Sequence, residues 1–85
     1  MNEWNIILLK PAKRYLERLS LEERKRVLDG LDLLRTDPFR LDIKPLQGRP
    51  EWRYRIGSYR ALMIMERDQK RIIVTQIGPR GDIYK

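Results

Sequence analysis

Three arginines, Arg53, Arg55 and Arg60, fall within the ten residues EWRYRIGSYR at positions 51 to 60, and the chain closes on GPRGDIYK, where Arg80 and Tyr84 stand four residues apart. Guanidinium groups stay charged at any physiological pH and grip phosphate through a bidentate fork, while a phenol can carry a proton. Such a set suits a polyanion and the charge that develops at a reacting phosphate. With no cysteine and no histidine, thiolate chemistry and the common zinc constellations are excluded. Any reaction must run on Arg, Lys, Tyr, Asp, Glu, Ser or Thr.

The elements that would position these arginines are two strands, residues 51 to 56 and 59 to 66, joined by Gly57-Ser58. Glycine at the first central position marks a two-residue type II′ turn. That loop length sets Ile56 against Tyr59, Arg55 against Arg60, Tyr54 against Ala61 and Arg53 against Leu62. Because side chains alternate between faces, Arg53, Arg55 and Arg60 share one side; Trp52, Tyr54, Ile56, Tyr59, Ala61 and Met63 form an apolar surface on the other. Like charges directly across a ladder destabilise it by a few tenths to about 1 kcal/mol. A solvated face that discourages aggregation is one account of these arginines. A mixed-sign face would do that without repulsion, so a polyanion supplying the missing counter-charge is the better one.

Upstream, EWNIILL at residues 3 to 9 reads as a short strand ending at Lys10-Pro11. Pro11 suits a first helical turn, and Ala12, Tyr15, Leu16 and Leu19 recur at helical spacing. Ser20 opens SLEE, with Glu23 three residues on, the capping-box pattern for a second helix. Its apolar stripe of Leu21, Val27, Leu28, Leu31 and Leu34 runs to about Arg35, before Asp37-Pro38 ends it. Gly30 inside this helix costs roughly 1 kcal/mol relative to alanine and implies close packing against a neighbour. Residues 36 to 50, with three prolines and a glycine, read as a connecting loop with some extended backbone. A final strand, RIIVTQI, follows the turn RDQK, which sets Glu66 against Arg71.

The order β, α, α, β, β, β predicts one α+β domain spanning residues 1 to 85: an N-terminal strand, a helical hairpin and a three-stranded antiparallel meander in one small twisted sheet. Nineteen Lys plus Arg against twelve Asp plus Glu leave a formal charge of +7, which in a domain this small points to a polyanion or an acidic protein partner. The apolar run at residues 6 to 9 is too short for a signal-peptide core or a membrane span, so a cytoplasmic chain is expected.

The pattern WRYRIGSYRALMI, the preceding KPLQGRPEWR and the ending IGPRGDIYK, together with the helical hairpin, make the chain resemble the RelE/ParE superfamily of toxins from bacterial and archaeal toxin-antitoxin modules. YRxGxYR and the terminal RGxIY carry most of that resemblance. It implies a RelE-like fold and a ribosome-dependent endoribonuclease that cuts mRNA in the A site of the small ribosomal subunit. There a ribose 2′-hydroxyl attacks the adjacent phosphate to leave a 2′,3′-cyclic phosphate. The resemblance maps the basic sheet positions onto Arg53, Arg55 and Arg60 and the C-terminal pair onto Arg80 and Tyr84. It also implies a RelB-type antitoxin as partner, contact with operator DNA only through that complex, and no metal or organic cofactor.

Two departures bear on the chemistry. Relatives often carry lysine where this chain has Arg53 and Arg55, and arginine is no general base. Many also have histidine or lysine where Pro79 stands. Proton transfer is thereby thrown onto Tyr84, which serves as base or as a stacking platform, with Arg60 and Arg80 as phosphate and transition-state clamps and Arg53 and Arg55 for backbone positioning and charge stabilisation. Lys44, Arg49, Arg14, Arg18 and Lys25 are expected to hold RNA, a solvated helix face being the alternative for the helical members. The rival reading is a ParE-type DNA gyrase poison without ribonuclease activity; YRxGxYR alone does not separate the two branches.

Overall fold

The structure, a computed structural model, describes residues 3 to 79. Its elements run β1 (Asn5–Leu8), α1 (Lys10–Arg18), α2 (Leu21–Asp32), β2 (Ile43–Pro45), β3 (Trp52–Ile56), β4 (Tyr59–Glu66) and β5 (Arg71–Pro79), with short 3-10 turns at Leu33–Arg35 and Pro38–Arg40. The five strands form one sheet in the order β1-β5-β4-β3-β2. This is the expected α+β class with two additions. One is β2, drawn from the stretch expected to be a connecting loop with some extended backbone; the other is the parallel pairing of β1 with β5 beside the meander.

Both helices lie on one face of the sheet. Ala12 and Leu16 of α1 and Val27 and Leu31 of α2 pack with Tyr54, Ile56, Ala61, Met63, Ile72, Val74 and Ile77 in a single core. These sheet residues are the alternate positions of their strands except across the register shift opposite Leu62 and Met63, which brings Val74 and Ile77 to the same face, so burial of one face dictates the register. Where α1 meets α2 the hairpin is held by Arg24. Its Nε donates to the Leu16 carbonyl at 2.9 Å, and Nη2 donates to the carbonyls of Glu17 at 3.1 Å and Leu19 at 3.2 Å. Carbonyls left over at the end of a helix need such a partner.

Ser20 caps α2 as its sequence implies, its Oγ accepting from the Glu23 N–H at 3.2 Å. The Glu23 carboxylate, however, accepts from the Tyr59 hydroxyl instead and lies 3.6 Å from Arg26 Nη1. Gly57 has φ of +58° while Ser58 stays at negative φ, the signature of a type II′ turn. The β3–β4 register matches the sequence reading at every pair. The turn before β5 also sets Glu66 opposite Arg71, with Arg71 Nε donating to Glu66 Oε1 at 2.5 Å.

Within residues 36 to 50, aromatic packing anchors Phe39. Phe39 sits between Trp4 and Trp52 with edge-on centroid distances of 5.9 and 5.8 Å, and the Arg67 guanidinium lies 4.7 Å from the Phe39 ring centre.

Candidate active site

The sheet face opposite the helices carries the arginines, in two cross-strand rows. Antiparallel partners project to the same side, so Lys44, Arg53, Leu62 and Gln76 make one row and Arg55, Arg60 and Gly78 the next. The Arg55 N–H donates to the Asp42 carbonyl at 3.1 Å, which extends the second row by an acid. Neighbouring strands stand about 4.8 Å apart, so four basic residues crowd a few strand spacings of sheet. Among the described residues, no helix covers that face.

The counter-charge for this crowding comes partly from within the chain. Asp42, just before β2, accepts from Arg53 Nη1 on Oδ1 at 3.1 Å, and its Oδ2 lies 3.9 Å from Arg55 Nη1. Its carboxyl is held below the usual carboxylate range, first by the Arg53 hydrogen bond, which outweighs the opposing effect of burial, and then by the charges of Arg53, Arg55 and Lys44. The two arginines are not equivalent. Only 10% of the Arg53 side chain is exposed, against 38% for Arg55, and Arg55 Nε is buried without a hydrogen-bond partner in the structure. Arg53 is committed to the protein, whereas among the described residues the Arg55 guanidinium has only the longer charge contact to Asp42 and is the more exposed of the two.

The two tyrosines of the YRxGxYR motif serve the scaffold. The Tyr54 hydroxyl donates to the Gly30 carbonyl at 2.6 Å, and that of Tyr59 donates to Glu23. Both phenols are pushed above their ordinary value, Tyr54 by burial and Tyr59 first by its bond to Glu23 and then by burial. They tie α2 to the back of the hairpin whose front carries the arginines.

The remaining basic residues divide. Lys44 joins the arginine face. Arg49 is bound to the neighbouring Glu51 carboxylate, by Nε at 3.2 Å and Nη2 at 3.4 Å, and Lys25 pairs with Asp29 at 3.4 Å on an exposed helix face. Arg14 and Arg18 are exposed on α1 and line a shallow cleft with Pro11, Tyr15, Gln76 and Ile77, beside the far end of β5. Arg80 and Tyr84 lie outside the described residues; the last described residue, Pro79, pairs with Tyr59, and Gly78 with Arg60. Asp42 was missed by sequence reasoning. An acid two residues before a lysine in the stretch leading to the hairpin was the available sign, and it had weight only once β2 was known to pair with β3.

No family model matches the chain. Over 87 residues it is 30% identical to the candidate toxin RelE1 of Methanocaldococcus jannaschii, the match covering 98% of this chain and 97% of that protein. A chain of the toxin-antitoxin complex RelBE2 from Mycobacterium tuberculosis shares the fold with a TM-score of 0.81 at 21% identity, over 92% of this chain and 99% of that one. A chain of the archaeal RelE-RelB complex from Pyrococcus horikoshii gives a TM-score of 0.79 at 25% identity, over 96% and 99%.

Proposed function

The chain belongs to the RelE family and is a RelE-type toxin of a toxin-antitoxin module, and from that membership we propose that it is a ribosome-dependent endoribonuclease cutting mRNA in the A site. The observation that carries this reading is Arg55 lying directly opposite Arg60 on the sheet face that no described helix covers, with Lys44 and Arg53 in the adjoining row. Like charges directly opposite cost stability, Asp42 offsets that only in part, and a bound phosphate would offset more.

In the proposed reaction the ribose O2′ bonds to the adjacent phosphorus and the P–O5′ bond breaks, leaving a 2′,3′-cyclic phosphate and a 5′-hydroxyl. One proton leaves O2′ and one is delivered to O5′. Arg55 and Arg60, with Arg80, neutralise charge on the phosphorane oxygens. Arg53 supports Arg55 from below rather than touching RNA. No arginine can take the O2′ proton, and Asp42, with its depressed carboxyl, is a weak base, so Tyr84 fills that role. A site so poor in proton-transfer groups depends on the ribosome to hold the codon in an attack geometry, and slow action on free RNA is the expected consequence. Lys44 reaches the mRNA backbone, and Arg14 and Arg18 hold ribosomal RNA. Arg49 and Lys25, already paired with carboxylates, contribute less.

The partner that silences the toxin is a cognate RelB-type antitoxin, as in the RelE-RelB complexes of the relatives, and the pair works in the cytoplasm. The test is primer extension on a defined mRNA in ribosomes with an empty A site, with wild type, Arg60→Ala and Arg80→Ala. A cut within the A-site codon that both variants lose is expected. Intact mRNA beside inhibited supercoiling in a parallel gyrase assay would overturn the reading in favour of a gyrase poison.

A further inference from the structure

Among the described residues, one carboxylate stands in the two arginine rows, and it sits where it can govern them. Asp42 is fixed twice: its carbonyl accepts the Arg55 N–H at 3.1 Å, and its side chain bridges arginines two residues apart on β3. The main-chain bond sets the position of the residue independently of its charge, so a neutral side chain of the same shape can stand there without moving the strand. The bridge is asymmetric. At 3.1 Å Arg53 is hydrogen-bonded and nearly enclosed; at 3.9 Å Arg55 is a charge partner only, with its Nε unengaged.

We propose that Asp42 is a positioning residue, a built-in counter-ion that locks Arg53, holds the Arg55 guanidinium at the phosphate site, and competes with loosely bound polyanions for it. This rests on the ribonuclease reading above for the reaction that Arg55 serves. Its physical content is a trade. While Asp42 shares Arg55, an RNA phosphate must displace part of an existing ion pair, which weakens binding of any RNA that is not delivered in the right geometry. In return, Arg55 waits in one orientation instead of sampling the many open to a long side chain. Selectivity for the ribosome-held codon over free RNA is the expected gain. Because the two flanking arginines keep the carboxyl ionised throughout the neutral range, the device is permanent and not switched by physiological pH.

The test compares wild type, Asp42→Asn, Asp42→Glu and the charge control Asp68→Asn in two measurements, after circular dichroism has shown each to be folded. Asp68 lies in the β4–β5 turn, so its neutralisation changes net charge equally at a distance. In the first, equilibrium binding to a single-stranded RNA oligonucleotide is followed against salt. Asp42→Asn should tighten binding several-fold and steepen the salt slope by about 0.7, one extra neutralised phosphate on a single strand, while Asp42→Glu and Asp68→Asn stay near wild type. In the second, single-turnover cleavage on programmed ribosomes, Asp42→Asn should lower the rate constant about tenfold at unchanged or tighter half-saturation. Asp42→Glu, with the charge kept but displaced by one methylene, should recover RNA affinity and only part of the rate.

Equal RNA affinity for Asp42→Asn and wild type would overturn the proposal, as would an equal gain in Asp68→Asn. A gain that persists when Arg55→Ala is added would also sink it, because Asp42 would then not act through Arg55. If wild type leaves ribosomal mRNA intact, the ribonuclease reading fails, and the binding measurement still decides whether Asp42 holds Arg55 against polyanions.

Discussion

A Cβ placed on Gly30 would stand 2.6 Å from Ile56 Cγ2, closer than carbon atoms approach one another. Helix α2 therefore lies directly on the hairpin, with Ile56 filling the space a side chain would take. Gly30→Ala gains roughly 1 kcal/mol of helix propensity and loses more by pushing against a β-branched residue that cannot swing away, since overpacking costs about 1–3 kcal/mol. A net destabilisation is expected in chemical denaturation. Ile56→Ala, which removes the γ carbons that the added Cβ would meet, should cost less in the Gly30→Ala background than in wild type, and a Gly30→Ala protein more stable than wild type would remove the close approach as the reason for the glycine.

The hydrogen bond from Tyr59 to Glu23 makes a prediction in alkali. A phenol that donates to a carboxylate resists ionisation, so its folded value lies above the ordinary one of about 10. The contribution is thus fully present below about pH 10 and is lost as pH rises through the folded value. Ultraviolet titration should show this phenol ionising late. Tyr59→Phe should be less stable than wild type at neutral pH, and the difference should shrink above about pH 10. A difference constant with pH would assign the effect to packing of the ring.

The hairpin and its faces were legible because a two-residue loop, Gly57-Ser58, leaves only one register in which Tyr54, Ile56, Ala61 and Met63 all turn inward. The cap at Ser20 and the Glu66–Arg71 pair were legible for the same reason, being local. What was not legible is nonlocal. The strand Ile43–Pro45 is three residues long, too short for any periodicity, and it exists through β3. The pairing of β1 with β5 joins residues distant in sequence, and the irregularity opposite Leu62 and Met63, which lets Ile77 and Val74 both face the core, leaves no mark in composition. The missing counter-charge of the arginine face lay in that unread stretch: Asp42 is eleven residues from Arg53 and meets it only when β2 forms.

Asp42 should also leave a signature in acid. Its folded carboxyl lies below the unfolded value near 3.9, so what it adds to stability is present above about pH 4 and lost as pH falls through the depressed folded value. Asp42→Asn should therefore be less stable than wild type at neutral pH, with the gap closing below about pH 4 in denaturant melts taken along a pH series. A gap that persists in strong acid would mean that the side chain acts by shape and not by charge.

The basic residues of the helices should separate into two groups when changed one at a time. Arg24 spends its guanidinium on three carbonyls at the end of α1, so Arg24→Ala should cost about 1–2 kcal/mol, hydrogen bonds from a charged donor being worth this much when partly exposed. Lysine should restore little, lacking the fork that reaches several carbonyls at once. Arg14 and Arg18 are exposed and bonded to no carboxylate among the described residues, so Arg14→Ala with Arg18→Ala should stay within about 0.5 kcal/mol of wild-type stability. The double variant should instead weaken ribosome binding and flatten its salt dependence, by about 0.7–0.9 in slope for each phosphate no longer neutralised. Paired denaturation and ribosome co-sedimentation read both effects on the same proteins. If Arg24→Ala lowered ribosome affinity at full stability, or the α1 double variant lowered stability at full affinity, the division of the positive charge into scaffold and RNA-binding groups would be reversed. The reason for the division is geometric: Arg24 points into the junction of the two helices, while Arg14 and Arg18 flank Gln76 and Ile77 on the approach to the strand end that carries Gly78 across from Arg60.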